Sequence, residues 1–561
     1  MKPRKVLAVI IALLMLTSIV LSCKKDDKPA DQGSQSSAPA DQSPAVSSGS
    51  ASPREIAQAA IAHADLINSE IRKGVTSSKD TLTFAAIRDP GNLEFGNLLE
   101  FTLYPFGTMT LEYFMRYDFS TGKYFSPVCT YEADADFKGA TFHITPNIMM
   151  NDGNLFTVED VLISIQAFRD HSPMSWHMEF VDTANATIID QYTLHLPFTT
   201  VNGVWESAFQ MFTVISGEAY NAVGGDLSFY MAPVGPMPYN LTEHIPGESM
   251  TLTAFENYYR GEPPIKYVTM KVISDRTAAF MALQNGDIDL LWNISADQVK
   301  TVHASSNMKQ AMMGENMIAY VGMNSGNAAL SDFRVRQAIS LAINRQDIID
   351  GAYDGLAFAA TSILTRETLG YNPAWDSNST LPAQDIAKAK ELMADAGYGG
   401  GLTLRLLAES TINFQLVTEQ LALQLGEIGI TLQPELTDYA TMGAKLFSDD
   451  VSGYDLYLQL CQVSDDGVST LDNPQLFRAT HPELSSDGSN AGWSAIWDKI
   501  RATPVGSERE AIYQEANAYF IEKGQYWVPL LVSQTYVAMN PDLTGVRRNG
   551  FLFYFEDAYF K

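Results

Sequence analysis

The sequence predicts an α/β protein assembled from more than one domain. The most informative stretch is residues 267–291, YVTMKVISDRTAAFMALQNGDIDLL. It reads as a strand over 267–273, a helix over 276–284, an Asn285-Gly286 turn and a second short apolar strand. On the helix Ala279, Met281, Ala282 and Leu283 make one broad apolar side, and Gly286 supplies the positive φ that ends a helix. Strand, helix, strand is a βαβ unit, so a parallel sheet follows. Strand and helix patterns also alternate from residue 80 onward without a repeat period. Finally, 561 residues, 46% of them hydrophobic, exceed what a single core accommodates.

Taken in order, the chain opens with Lys2, Arg4 and Lys5, followed by apolar or small residues over 6–21. This run is shorter than the roughly 20 apolar residues a membrane span needs, so it reads as a secretory signal. Val20-Leu21-Ser22-Cys23 is similar to a bacterial lipobox, which makes Cys23 the expected lipid-bearing residue; an uncleaved anchor or an ordinary signal are the alternatives. Residues 24–53 are Lys, Asp, Ser, Gln, Ala, Gly and Pro with one Val and no aromatic residue, a composition that stays disordered. Such a leash of about 30 residues reaches roughly 30 Å. Ile56, Ala60, Ile61, Ala64 and Ile67 then recur at helical spacing. Residues 81–87 are a strand candidate, 131–144 a hairpin, and Thr157 caps a helix running to Arg169.

Charge and composition exclude several functions. A net charge of −28 argues against nucleic acid and against anionic lipid head groups, and is read as solubility outside the cell. Of the three cysteines, Cys129 and Cys461 remain beside Cys23 and are expected to be free, buried thiols. The eight histidines show no metal spacing; His171 and His177, with Met174 and Met178, are the only local group and share no helix face. Asp287 and Asp289 alternate faces on a short strand and make a poor acid/base pair. Gly-x-Ser-x-Gly, phosphate-cradling and Cys-x-x-Cys motifs are missing, so no enzymatic activity, cofactor or metal is expected.

The wording of residues 275–289, ending Ala282-Leu283-Gln284-Asn285-Gly286-Asp287-Ile288-Asp289, resembles the extracellular family 5 solute-binding proteins of peptide-type ABC importers. Further stretches agree in order and spacing. Gly235-Pro236-Met237-Pro238-Tyr239 stands where the family has Gly-Thr-Gly-Pro-Tyr, and Asn257-Tyr258-Tyr259 replaces Asn-x-Tyr-Trp. Gly322-Met323-Asn324-Ser325 resembles the strand end that leads into the second lobe. Residues 333–345, FRVRQAISLAINR, resemble the family's most recognisable helix, with Ser331 or Asp332 as cap. Residues 387–404 match a helix ending Ala-Gly-Tyr and the strand after it, with Gly397 as the stop. Arg334 and Arg336 cannot share a helix face, so one of them is expected to be structural.

The resemblance implies a two-lobed type II periplasmic-binding-protein fold with an extra subdomain in the larger lobe. The expected divisions are 1–22 signal peptide, 23–52 linker, 53–80 N-terminal helix, 81–293 with 533–561 lobe I (111–196 the extra subdomain) and 294–532 lobe II. The crossings are expected near 291–296 and 530–534. It further implies a monomer, lipid-anchored at the bacterial cell membrane and facing the periplasm or the outside, that captures oligopeptides or dipeptides between its lobes and hands them to an ABC permease. Alternatives are an oligosaccharide, a nickel complex, a haem-like ligand, or a ligand-sensing receptor. The family's ammonium-binding Asp follows a strand and a Gly-Trp pair; here the strand is 454–460, Leu460-Cys461 replaces Gly-Trp, and Ser464, Asp465 and Asp466 fall near the expected Asp. Trp292, beside the first expected crossing, and Asn324 complete the candidate ligand-binding residues.

Overall fold

The computed structural model describes residues 75–561 except 94–103, 119–122, 173–174, 211, 313–316, 447, 449, 463–490, 535 and 550–551. The signal segment with Cys23, the linker, the helix pattern of 56–67, and Ser464, Asp465 and Asp466 therefore lie outside the described residues.

β1 (Thr81–Ala86) leads into a small four-stranded sheet of β2 (Cys129–Ala133), β3 (Gly139–Ile144), β4 (Thr187–Asp190) and β5 (Thr193–Pro197), with α1 (Val158–His171) between β3 and β4. The chain then forms β6 (Tyr239–Ile245), β7 (Ser249–Ala254), β8 (Tyr267–Val272), α2 (Arg276–Asn285), β9 (Leu290–Trp292), α3 (Ala296–His303) and β10 (Lys309–Met312). Next come β11 (Met317–Met323), α4 (Phe333–Ala342), α5 (Arg345–Tyr353), β12 (Phe358–Ala359), α6 (Ile386–Asp395), β13 (Leu402–Glu409), α7 (Ile412–Gly426), β14 (Ile430–Thr437), α8 (Tyr439–Leu446) and β15 (Leu456–Gln462). α9 (Ala491–Ala502), α10 (Ser507–Tyr519), β16 (Trp527–Ser533) and β17 (Tyr536–Met539) follow.

Two sheets organise these elements. One has the order β6-β7-β8-β1-β9-β17-β10, the other β12-β16-β11-β15-β13-β14. β1 runs parallel to both β8 and β9, as the βαβ pattern predicts. In the second sheet β13 is parallel to β14 and to β15, while β11 is antiparallel to β15 and β16. Each sheet has its own core: Leu82, Phe84, Val268, Met270 and Leu290 belong to one, Val321, Leu404, Leu406, Leu458 and Leu530 to the other.

Local chemistry accounts for the element ends. Asp275 Oδ1 accepts the Ala278 N–H at 2.7 Å to open α2, and Gly286 (φ 80°) closes it. Asp160 Oδ2 accepts from the Thr157 N–H at 2.8 Å and hydroxyl at 3.0 Å, fixing the start of α1. Asp332, not Ser331, caps α4. The helix read over 333–345 is two helices, because Asn344 caps α5 with its side chain. Arg334 is an exposed partner of Asp332, whereas Arg336 is buried and donates to the carbonyls of Leu330 and Ser331.

The first crossing departs from the expected position. α3 does not enter lobe II, and β10 pairs with β17 in the first sheet, so the chain crosses between Met312 and Met317 instead of near 291–296. The second crossing runs from Ser533 in β16 to Tyr536 in β17. Lobe I thus extends to Met312, and the hinge is a pair of neighbouring chain passages.

Candidate functional site

Register places the carboxyl ends of the parallel strands beside these passages. Ala85 of β1 lies beside Leu291 of β9, and Trp292 opposes Val537, one residue after β17 begins. In lobe II, Met317, the first described residue after the crossing, opposes both Gln462, the last residue of β15, and Ser533. β13 runs parallel to β15, so its carboxyl end points the same way. Open α/β sheets bind ligands at carboxyl strand ends, and here both sheets present them at the hinge.

Beside the crossing, lobe I carries a small, partly open recess lined among others by Ala86, Ile87, Arg276, Trp292, Asn293 and Gln298. Trp292 is buried with its ring centroid 4.5 Å from that of Phe553, edge to face. Asn293 takes a left-handed backbone (φ 55°), and its carbonyl accepts from Arg276 Nη1 at 3.2 Å. Gln298 is held by its capping bond to the Ser295 N–H at 2.9 Å.

The lobe II wall carries Tyr320 on β11, whose hydroxyl donates to Gln459 Oε1 at 2.8 Å and whose ring lies 5.0 Å from Trp527 and 5.9 Å from Tyr457. Neither Tyr320 nor Gln459 was singled out by sequence; the signal is their shared face, visible only once β11 and β15 are known to pair.

Asn324 is not brought to this region. It follows Met323, at the end of β11 away from the crossing, and its whole amide is occupied: Nδ2 donates to the carbonyls of Val451 (2.9 Å) and Tyr454 (3.1 Å), and Oδ1 accepts from the Gly326 N–H (3.0 Å). It fixes a turn. Asp289 is also structural, its carboxylate binding Lys79 Nζ (2.6 Å), the Thr83 N–H (3.0 Å) and Asn540 Nδ2 (3.1 Å). His171 bonds Tyr220 and Gly225, and burial lowers the His177 pKa to about 3. Cys129 is a free, buried thiol whose pKa burial pushes up to about 12. Among the described residues no group of His, Cys, Asp and Glu could hold a metal ion, and no helix is long and apolar enough to cross a membrane.

Two α/β lobes, joined by paired crossings onto which the strand ends of both converge, define a two-lobed type II binding protein. Residues 128–477 match the family described as bacterial extracellular solute-binding proteins, family 5 Middle, and the chain belongs to that family. It is 23% identical over 448 residues to the heme-binding protein A of Haemophilus influenzae, covering 74% of this chain and 78% of that one. It is 29% identical over 344 residues to the oligopeptide-binding protein AppA of Bacillus subtilis, covering 56% and 59%. The solved structure of AppA in complex with a nonapeptide superposes with a TM-score of 0.71 at 17% identity, covering 87% of this chain and all of that one.

Proposed function

We propose that this chain captures small solutes, peptides above all, between its lobes outside the membrane and delivers them to an ABC permease. The observation that carries this is the convergence of both sheets' carboxyl strand ends on a double crossing, which lets hinge closure wrap a ligand. The peptide class is supported by the similarity to a protein named for oligopeptide binding. Trp292 offers the lobe I wall, and Asp465 or Asp466, with Ser464 beside them, pairs with a ligand ammonium from lobe II. Loss of one charge-assisted bond of that kind costs about 1.5–3 kcal/mol, so Asp465→Asn or Asp466→Asn weakens binding by about 10- to 100-fold. Cys23 carries the lipid that tethers a monomeric protein to the membrane, and the protein performs no bond chemistry of its own.

The test is calorimetric titration of the purified protein with peptides bearing free or acetylated amino termini, together with uptake of labelled peptide by a deletion strain. Equal tolerance of acetylation by wild type and both variants removes the amine anchor; absence of peptide binding removes the peptide class. A haem-like ligand is the second reading, favoured by the similarity to a heme-binding protein. It predicts a Soret band on adding haemin.

A further inference from the structure

β13 alternates cleanly between two cores. Leu404, Leu406 and Ala408 enter the cluster under the helices Phe333–Ala342 and Ile412–Gly426, while Leu407 joins Tyr320, Tyr457 and Trp527 on the other face. Glu409, the last residue of the strand, follows Leu407 onto that second face. Leu407 lies beside Tyr457 and Ala408 beside Leu458, so Glu409 comes level with Gln459, which itself opposes Tyr320. Three adjacent strands therefore set Glu409, Gln459 and Tyr320 in one polar row about 10 Å long, about 10 Å from the crossing residue Met317.

Glu409 is half-buried, and among the described residues its carboxylate has no hydrogen-bond or ion-pair partner; burial pushes its pKa up. Among the described residues, the buried carboxylates Asp455 and Asp289 are compensated. Asp455 in the same sheet is held by Arg405 (2.9 Å) and Asn327 (2.9 Å), and Asp289 by Lys79 and Asn540. The amide nitrogen of Gln459 likewise has no partner among the described residues. A half-buried carboxylate with no partner among the described residues, at a strand's carboxyl end beside a hinge, is a group open to a partner from outside.

We propose that Glu409 anchors a cationic group of the captured solute, a protonated amine or a guanidinium, with the Gln459 amide donating to a neighbouring ligand carbonyl. This rests on the reading of the chain as a peptide-capturing protein. The probes are Ala-Ala-Lys-Ala and its norleucine counterpart, titrated calorimetrically into wild type, Glu409→Gln and Glu409→Asp. Glu409→Gln is expected to weaken the lysine peptide by about 10- to 100-fold and to leave the norleucine peptide unchanged, with Glu409→Asp intermediate. The ligand-free Glu409→Gln protein is expected to melt higher than wild type at neutral pH, because a charge with no partner among the described residues leaves a half-buried position; a Tm that falls overturns the assignment. An equal effect on both peptides, or none on either, also overturns it while leaving the peptide reading intact. If wild type binds neither peptide, the peptide reading fails and this assignment fails with it.

Discussion

Glu556 shows what a compensated buried charge looks like in this chain. Its Oε1 accepts from Arg116 (2.9 Å), Arg260 (3.0 Å) and Arg547 (3.2 Å), while Arg116 also pairs with Glu112 (2.6 Å) and lies over the Tyr554 ring at 3.9 Å. Burial opposes the charge, but the three guanidiniums outweigh it and hold the Glu556 pKa at about 2. A folded value below the unfolded one stabilises the fold above the ordinary carboxylate pKa, and that contribution is lost as pH falls from about 4.5 towards 2. The shift corresponds to about 3 kcal/mol. Glu556→Gln should therefore lose stability of that order at pH 7 and much less at pH 3, which urea denaturation at the two pH values checks. This cluster was not legible in the sequence, because Arg116 and Arg260 lie 440 and 296 residues from Glu556. Asp287 and Asp289, read as alternating on a strand, precede the strand Leu290–Trp292, and Asp289 is tied to Lys79 and Asn540 by pairings that sequence alternation does not reveal. Asn324 was misplaced because a string of residues at a strand end does not say which end of the sheet faces the hinge.

Elements were far more legible than residues, because caps and stops are local. Thr157, Gly286 and Gly397 mark their helix ends in sequence and again in structure, where the two glycines have φ of 80° and 90°. Gly286→Ala would place a side chain in the left-handed region, where no neighbour lies within 4 Å of the new Cβ, so the cost is backbone strain alone. About 1–2 kcal/mol is expected, read as a lowered Tm with an unchanged far-UV spectrum. The first crossing was misjudged for the opposite reason. Whether α3 and β10 stay with lobe I depends on the pairing of Lys309–Met312 with Tyr536–Met539, a contact between segments more than two hundred residues apart. Periodicity reads a strand but not its partner.

At the scale of the molecule, the lobes also touch away from the hinge. Gly203, in the loop before Trp205, donates its N–H to the Arg501 carbonyl at 2.5 Å, and its own carbonyl accepts from Arg509 Nη2. Val204 is buried in the lobe II cluster with Ile496, Ile500 and Ile512, although Trp205 next to it belongs to the lobe I core. Arg509 is fully buried, and its described partners are only the carbonyls of Thr503 and Gly203. Opening the lobes would return that guanidinium to water, so the clasp and the ligand jointly set how far the hinge stays shut. Only glycine fits, because a Cβ on residue 203 would stand 2.7 Å from the Arg501 carbonyl oxygen. Two net hydrogen bonds are worth about 1–3 kcal/mol, so Gly203→Ala should move the ratio of open to closed molecules about 5- to 150-fold towards open. The expected signs are a larger radius of gyration by small-angle scattering and faster amide exchange over residues 501–509, with the exchange of the central strand Met317–Met323 unchanged. A radius and an exchange pattern equal to wild type would mean that the hinge alone determines closure and that the Gly203 contact only follows it.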